Sequence, residues 1–210
     1  MSLFEQQLRE ETPRSLKALR EAEDACRRCD LYKHATQAVP GEGPAHAPLM
    51  LIGEQPGNDE DLAGHPFVGP AGRVLDGALK EAGIDRKEVF VTNAVKHFKH
   101  EMRGKRRLHK RLDPGEIEAC RWWQNIEREL VKPKLMVALG ATAARSVLER
   151  VVTIGKVRGE VLEAPSGGNA IVTIHPSYLL RIQEERDKQA EYRRFLGDLR
   201  TAKAFIERAT

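Results

Sequence analysis

Four short apolar runs, each ending near a glycine or a polar residue, constrain this chain more than any other feature. Leu49-Met50-Leu51-Ile52-Gly53, Val89-Phe90-Val91-Thr92, Leu135-Met136-Val137-Ala138-Leu139-Gly140 and Ala170-Ile171-Val172-Thr173-Ile174 show no polar alternation. Each therefore reads as a strand buried on both faces. Helical spacing fills the intervals. Residues 15–32 set Leu16, Leu19 and Ala22 on one side, with Cys26 and Cys29 near the predicted end, and residues 71–82 stop at Gly83. Residues 114–130 carry Ile117, Cys120, Trp123, Ile126 and Leu130, with Asp113 as N-cap and Pro114 in the first turn. An Ala-rich helix over 141–148, an edge strand over 157–162 and a charged helix over 187–207 complete the pattern. Strands alternating with helices predict an α/β fold, a three-layer α/β/α arrangement around a central, mostly parallel sheet. Its length of 210 residues suits one domain. Ligands bind such sheets beyond the carboxyl ends of the strands, which here gathers Gly53-Glu54-Gln55, Asn93, Gly140-Ala141-Thr142 and His175.

There is no apolar run of about eighteen residues, and charges occupy the first residues where a signal peptide needs an apolar stretch. The expectation is a soluble, cytoplasmic monomer with no membrane segment. Three cysteines cannot close a disulfide framework, and Cys26-Arg27-Arg28-Cys29 points to metal or redox chemistry. With Cys120 as a third thiolate, a tetrahedral site lacks one ligand, which His97 or His100 could supply. Spacing leaves zinc and an iron–sulfur cluster both open. The net charge of +4 is unevenly spread. Between Lys96 and Asp113, eight basic residues (Lys96, Lys99, Arg103, Lys105, Arg106, Arg107, Lys110, Arg111) face two acidic ones, a local balance of +6 that leaves −2 for the rest. One basic segment on a near-neutral body suits a polyanion, nucleic acid foremost, better than general solubility.

Four pieces in order resemble the uracil-DNA glycosylase superfamily, in its iron–sulfur family 4 branch. They are Gly53-Glu54-Gln55-Pro56-Gly57, Pro66-Phe67-Val68-Gly69-Pro70-Ala71-Gly72-Arg73, Val91-Thr92-Asn93-Ala94-Val95-Lys96 and His175-Pro176-Ser177-Tyr178-Leu179-Leu180. Within that superfamily, Gly104-Lys105-Arg106-Arg107-Leu108-His109 is similar to the inserted loop of the UdgX group. Gln55 agrees, because family 4 members typically carry alanine there, and they have a shorter link between their third and fourth cysteines. The resemblance implies a uracil-DNA glycosylase-like domain over residues 1–210, with an inserted basic loop near 98–112. It also implies a [4Fe–4S] cluster on Cys26, Cys29, His97 and Cys120, since His97 stands where family 4 has its third cysteine. His100 is then the weaker alternative.

The implied partner is uracil-containing DNA, single-stranded by preference. Phe67 would stack on a base taken out of the helix, and Asn93 would read uracil through one carboxamide, with Gln55 also in the uracil site. Glu54 would stabilise the cationic sugar and His175 the departing uracil anion. In the UdgX group a histidine of the inserted loop captures the sugar carbon, and His109 matches it. The surrounding Arg106, Arg107, Lys110 and Arg111 are expected to keep that imidazole neutral. Lys96, Arg103, Lys105, Arg106, Arg107, Lys110 and Ser177 are expected on the DNA, and the loop is expected to order on DNA. Asn58 departs from related proteins, which can carry an acidic residue there, and this puts a water-activating role for that side chain in doubt. Two other readings remain: a glycosylase that releases its product, and a non-catalytic uracil or single-strand DNA sensor.

Overall fold

The computed structural model describes residues 12–208; the charged stretch 1–11 lies outside them. The four apolar runs become β1 (Leu49–Gly53), β2 (Val89–Asn93), β5 (Leu135–Leu139) and β7 (Asn169–Thr173), all parallel. They form a sheet in the order β2-β1-β5-β7-β6, whose edge strand β6 (Val161–Glu163) is antiparallel. The helices are α1 (Leu16–Asp24), α2 (Asn58–Ala63), α3 (Pro70–Ala82), α4 (Pro114–Val131), α5 (Ala141–Leu148), α6 (Ile154–Val157), α7 (Pro176–Leu179) and α8 (Glu185–Arg208). The mostly parallel α/β sheet is as expected. No helix among the described residues is long and apolar enough to cross a membrane.

Two apolar layers explain why the strands lack polar alternation. Leu49, Leu51, Val91, Leu135 and Val137 pack on Leu75 and Leu79 of α3 and on Phe195 and Leu199 of α8. The intervening Met50, Ile52, Phe90, Met136 and Ala138 pack on Ala143, Ala144 and Val147 of α5. A third cluster joins α1 to α4 through Leu19, Ile117 and Trp123, and contains Cys26 and Cys120. Helix boundaries follow local chemistry. α3 stops at Gly83 (φ 73), and α4 opens with Asp113 and Glu116 in a capping box and Pro114 in its first turn.

Three expectations change. The helix over 15–32 is shorter, because α1 ends at Asp24 and Cys26 turns into the third cluster. Arg27 then stacks on Tyr32 and Arg28 on Trp122, which holds Cys26–Cys29 as a loop rather than a helical turn. The strand over 157–162 splits into the one-turn α6 and the three-residue β6. The basic segment carries regular structure: β3 (His100–Arg103) and β4 (Arg106–His109) form a hairpin in the register His100↔His109.

Candidate active site

The cleft at the carboxyl ends of β1, β2, β5 and β7 has a volume of about 680 Å³ and is lined by Glu54, Gln55, Phe67, Asn93, His109 and His175, among others. Gly53 and Asn93 are register partners. A Cβ on Gly53 would stand 2.3 Å from Asn93 Oδ1 and 2.6 Å from Phe67 Cζ, so glycine alone leaves both side chains in place. Asn93 is 2% exposed, and it lines the cleft.

Phe67 has a left-handed backbone (φ 58), unfavourable for a bulky residue. Two contacts hold it. A Cβ on Gly72 would meet the Phe67 carbonyl oxygen at 1.7 Å, so the first turns of α3 press directly on this peptide. Glu60 accepts from the N–H groups of Gly57 (3.0 Å) and Gly69 (2.8 Å), closing the loop around Phe67. The Phe67 ring stacks on His175 with centroids 5.9 Å apart.

His175 follows β7. The Ser177 N–H donates to its Nδ1 (3.2 Å), which makes Nδ1 the acceptor and leaves the ring proton on Nε2. Burial pushes its pKa down to about 4, helped by His109 and Arg181, so the ring is neutral near pH 7. The expected phosphate contact Ser177 has its hydroxyl 2.8 Å from His175 Nδ1 and accepts from Arg181 (3.2 Å). Glu54 has a raised pKa because burial outweighs the hydrogen bond from Thr142 and the charges of Arg181 and Arg111. Sequence reasoning missed Arg181 and Glu60. Arg181 acts on Glu54, His109 and His175 alike and directly follows the His-Pro-Ser-Tyr-Leu-Leu piece. The Gly57-x-x-Glu60 spacing is a capping signal that could have found Glu60.

The hairpin brings His109 to the cleft. Phe98, buried beneath it, meets the His109 ring edge-on (centroids 4.9 Å, 65°) and stacks on His100 (4.9 Å, 26°). His100 is thereby committed to the hairpin. Gln55 clips the hairpin root with both ends of its carboxamide, accepting from Lys99 N–H (2.7 Å) and donating to the Lys110 carbonyl (2.9 Å). Its side chain therefore serves the hairpin from within the cleft. The His109 residue keeps solvent-accessible surface, yet its ring stands within the cleft, and this burial lowers its pKa. Arg181 adds to the lowering and Glu60 opposes it. Burial thus replaces the expected field of Arg106, Arg107, Lys110 and Arg111 as the main cause.

Two expected DNA contacts are turned inward. Arg107 donates to Asp61 (2.6 Å), Asn58 (2.9 Å) and Thr36 (3.1 Å) and lies over the Phe98 ring, so its guanidinium anchors β4 to the body. Asn58 is an acceptor in that anchor. Lys96 is 0% exposed and pairs with Glu127, so it cannot reach a phosphate. Arg103, Lys105, Arg106 and Lys110 remain exposed on the hairpin.

Behind Asn93, the three cysteines are free thiols in or beside the third cluster. Burial pushes Cys120 up to about 12 and raises Cys29. Trp123 Nε1–H donates to Cys26 Sγ (3.1 Å) and the Lys96 N–H to Cys120 Sγ (3.3 Å), so two of the three sulfurs already accept a hydrogen bond. His97 is buried, lies within electrostatic reach of Arg27, and has its pKa pushed down to about 4, chiefly by burial, which keeps the imidazole neutral as a ligand must be. Among the described residues, no three His, Cys, Asp or Glu side chains stand close enough to hold a single metal ion.

The profile of the uracil DNA glycosylase superfamily matches residues 40–200. The chain is 38% identical over 185 residues to the type-4 uracil-DNA glycosylase of Thermotoga maritima, which covers 87% of this chain and 90% of that protein. It is 34% identical over 183 residues to the type-4 uracil-DNA glycosylase of Archaeoglobus fulgidus, covering 83% and 88% respectively. The Pyrobaculum aerophilum type-4 uracil-DNA glycosylase is 36% identical over 173 residues, covering 79% and 85%.

Proposed function

The chain belongs to the uracil-DNA glycosylase superfamily, and from that premise we propose that it excises uracil from DNA and stays bound to the abasic sugar through His109, in the manner of the UdgX group. The observation that carries the excision reading is that Asn93, the Phe67 ring and a neutral His175 line one cleft. A base swung out of the stack would lie on Phe67, which offers about 1–3 kcal/mol of stacking with little choice among bases. Asn93 supplies the choice. Its NH₂ donates to uracil O4 and its carbonyl accepts from N3–H, whereas cytosine presents the opposite pattern at both atoms.

In the chemical step the electron pair of the C1′–N1 bond leaves with uracil. His175 donates Nε2–H to O2 of the resulting anion, and the Glu54 carboxylate faces the cationic sugar. An imidazole nitrogen of His109 then gives its lone pair to C1′. The proton on its other nitrogen passes to Glu54 or to solvent, leaving a neutral N-linked imidazole on the sugar. The lowered pKa of His109 and the raised pKa of Glu54 suit these roles.

Cys26, Cys29, His97 and Cys120 are the proposed holders of a [4Fe–4S] cluster, which when bound would cross-link the loop after α1, the segment after β2, and α4. Single-stranded DNA containing uracil is the proposed substrate, with Arg103, Lys105, Arg106 and Lys110 on its phosphates and residues 1–210 acting as one domain. The names of the type-4 relatives favour a second reading, a glycosylase that releases its product.

One gel tests the proposal. The protein is incubated with a uracil-containing single-stranded oligonucleotide, denatured and separated. A shifted band that survives boiling in detergent, lost in His109→Ala, is expected. Free abasic product without that band would favour the releasing enzyme, and no excision at all would leave a DNA-binding sensor.

A further inference from the structure

Lys96 was expected on the DNA, yet it is the most deeply buried cation of the chain's basic segment. Its side chain is 0% exposed, and each ammonium proton has a taker: Glu127 Oε1 at 2.7 Å, Thr92 Oγ1 at 2.6 Å and the Asn93 main-chain carbonyl at 3.1 Å. Glu127, equally buried, also accepts from the Thr92 hydroxyl (2.9 Å) and the Gly41 N–H (3.1 Å). A buried ion pair is a poor source of stability, because desolvating two charges costs about what their attraction returns. Something other than stability has to account for an ammonium in this position.

The third contact supplies it. Asn93 is the last residue of β2. Its peptide oxygen is held from below by Lys96, while its carboxamide stands against Gly53 in the cleft. Lys96 is in turn held by α4 through Glu127 and by β2 itself through Thr92. We propose that Lys96, with Glu127 and Thr92, is a positioning set that fixes the Asn93 peptide so that its carboxamide meets uracil in register. The inference rests on the reading of Asn93 as the uracil-recognising residue.

Removing the ammonium alone would leave Glu127 buried and unpaired, and Lys96→Met is expected to fold poorly. The informative variant is Lys96→Met/Glu127→Gln, which removes this pair of charges together and keeps an acceptor for the Gly41 N–H; Glu23, buried 3.8 Å from the ammonium with its pKa pushed up to about 8 by burial, stays protonated without it. Single-turnover excision by saturating protein is compared with affinity for uracil-free single-stranded DNA of the same length. Visible absorbance and iron content are measured on the same samples. Excision is expected to fall roughly 10–100-fold, the scale of a misplaced contact group, with affinity for uracil-free DNA and iron content as in the parent. Excision within about threefold of the parent in a folded variant would reduce the network to a structural role and overturn the proposal.

Asn93→Ala runs alongside. If it excises at the parental rate, the reading of Asn93 fails and the positioning role with it. If it loses excision while the double variant keeps it, only the positioning role falls. Should the double variant not fold, Thr92→Val is the deciding protein, since it removes the hydroxyl that joins Lys96 to Glu127. Slower excision at unchanged DNA affinity is then expected, and an unchanged rate would overturn the proposal.

Discussion

At the scale of single residues, the cleft depends on an atom that is missing. Gly53 carries no side chain, and a Cβ there would collide with both Asn93 Oδ1 and the Phe67 ring. Gly53→Ala is therefore expected to lower single-turnover uracil excision at least ~100-fold while leaving affinity for uracil-free DNA unchanged. An alanine variant with parental excision would show that these two side chains need not share that space. His109 sets a second expectation. Its pKa lies below the ordinary 6.5 because burial disfavours the imidazolium. The nucleophilic, neutral form thus persists to lower pH than in an ordinary imidazole and is lost as pH falls through the lowered value. The second-order rate of adduct formation, which reports the free protein, should be level from about pH 8 to 6.5 and decline below that. A midpoint above 6.5 would contradict a neutralising burial.

At the scale of elements, the hairpin decides whether an excising protein also traps. β3 and β4 project His109 into the cleft only because their roots and flank are tied down. Gln55 bridges Lys99 and Lys110, Arg107 reaches Asp61, and Phe98 supports the ring from beneath. Loss of the Gln55 bridge leaves two backbone groups at the root unpartnered, at about 1–3 kcal/mol. Gln55→Ala is accordingly expected to keep uracil excision but shift product from adduct towards free abasic DNA. Hydrogen exchange at the Leu108 and His109 amides should quicken in parallel. Equal adduct yield with faster exchange would show that trapping tolerates a loose hairpin.

At the scale of the molecule, an exposed basic hairpin stands on a near-neutral body. Replacing Arg103, Lys105 and Arg106 by alanine should flatten the salt dependence of binding to uracil-free single strands by about 0.7 for each phosphate no longer neutralised. Arg107→Ala should flatten it little, because that guanidinium is already paired; fluorescence anisotropy across a salt series measures both. The sheet was readable because apolar layers on both faces leave strands without polar alternation, a signature carried by each run on its own. For the same reason the strand ends located Glu54, Asn93 and His175. Where a cation points is another matter, since Lys96, Arg107 and Arg106 look alike in a basic run. The first is buried against Glu127 on α4 and the second paired with Asp61 on α2, while the third faces solvent. Sequence alone determined the α/β layering and the residues gathered at one sheet edge, because periodicity and strand ends are local properties of the chain. The tertiary structure alone decided which charges are buried, what Gln55 holds and why His109 is neutral, because desolvation and pairing depend on neighbours brought from distant parts of the chain.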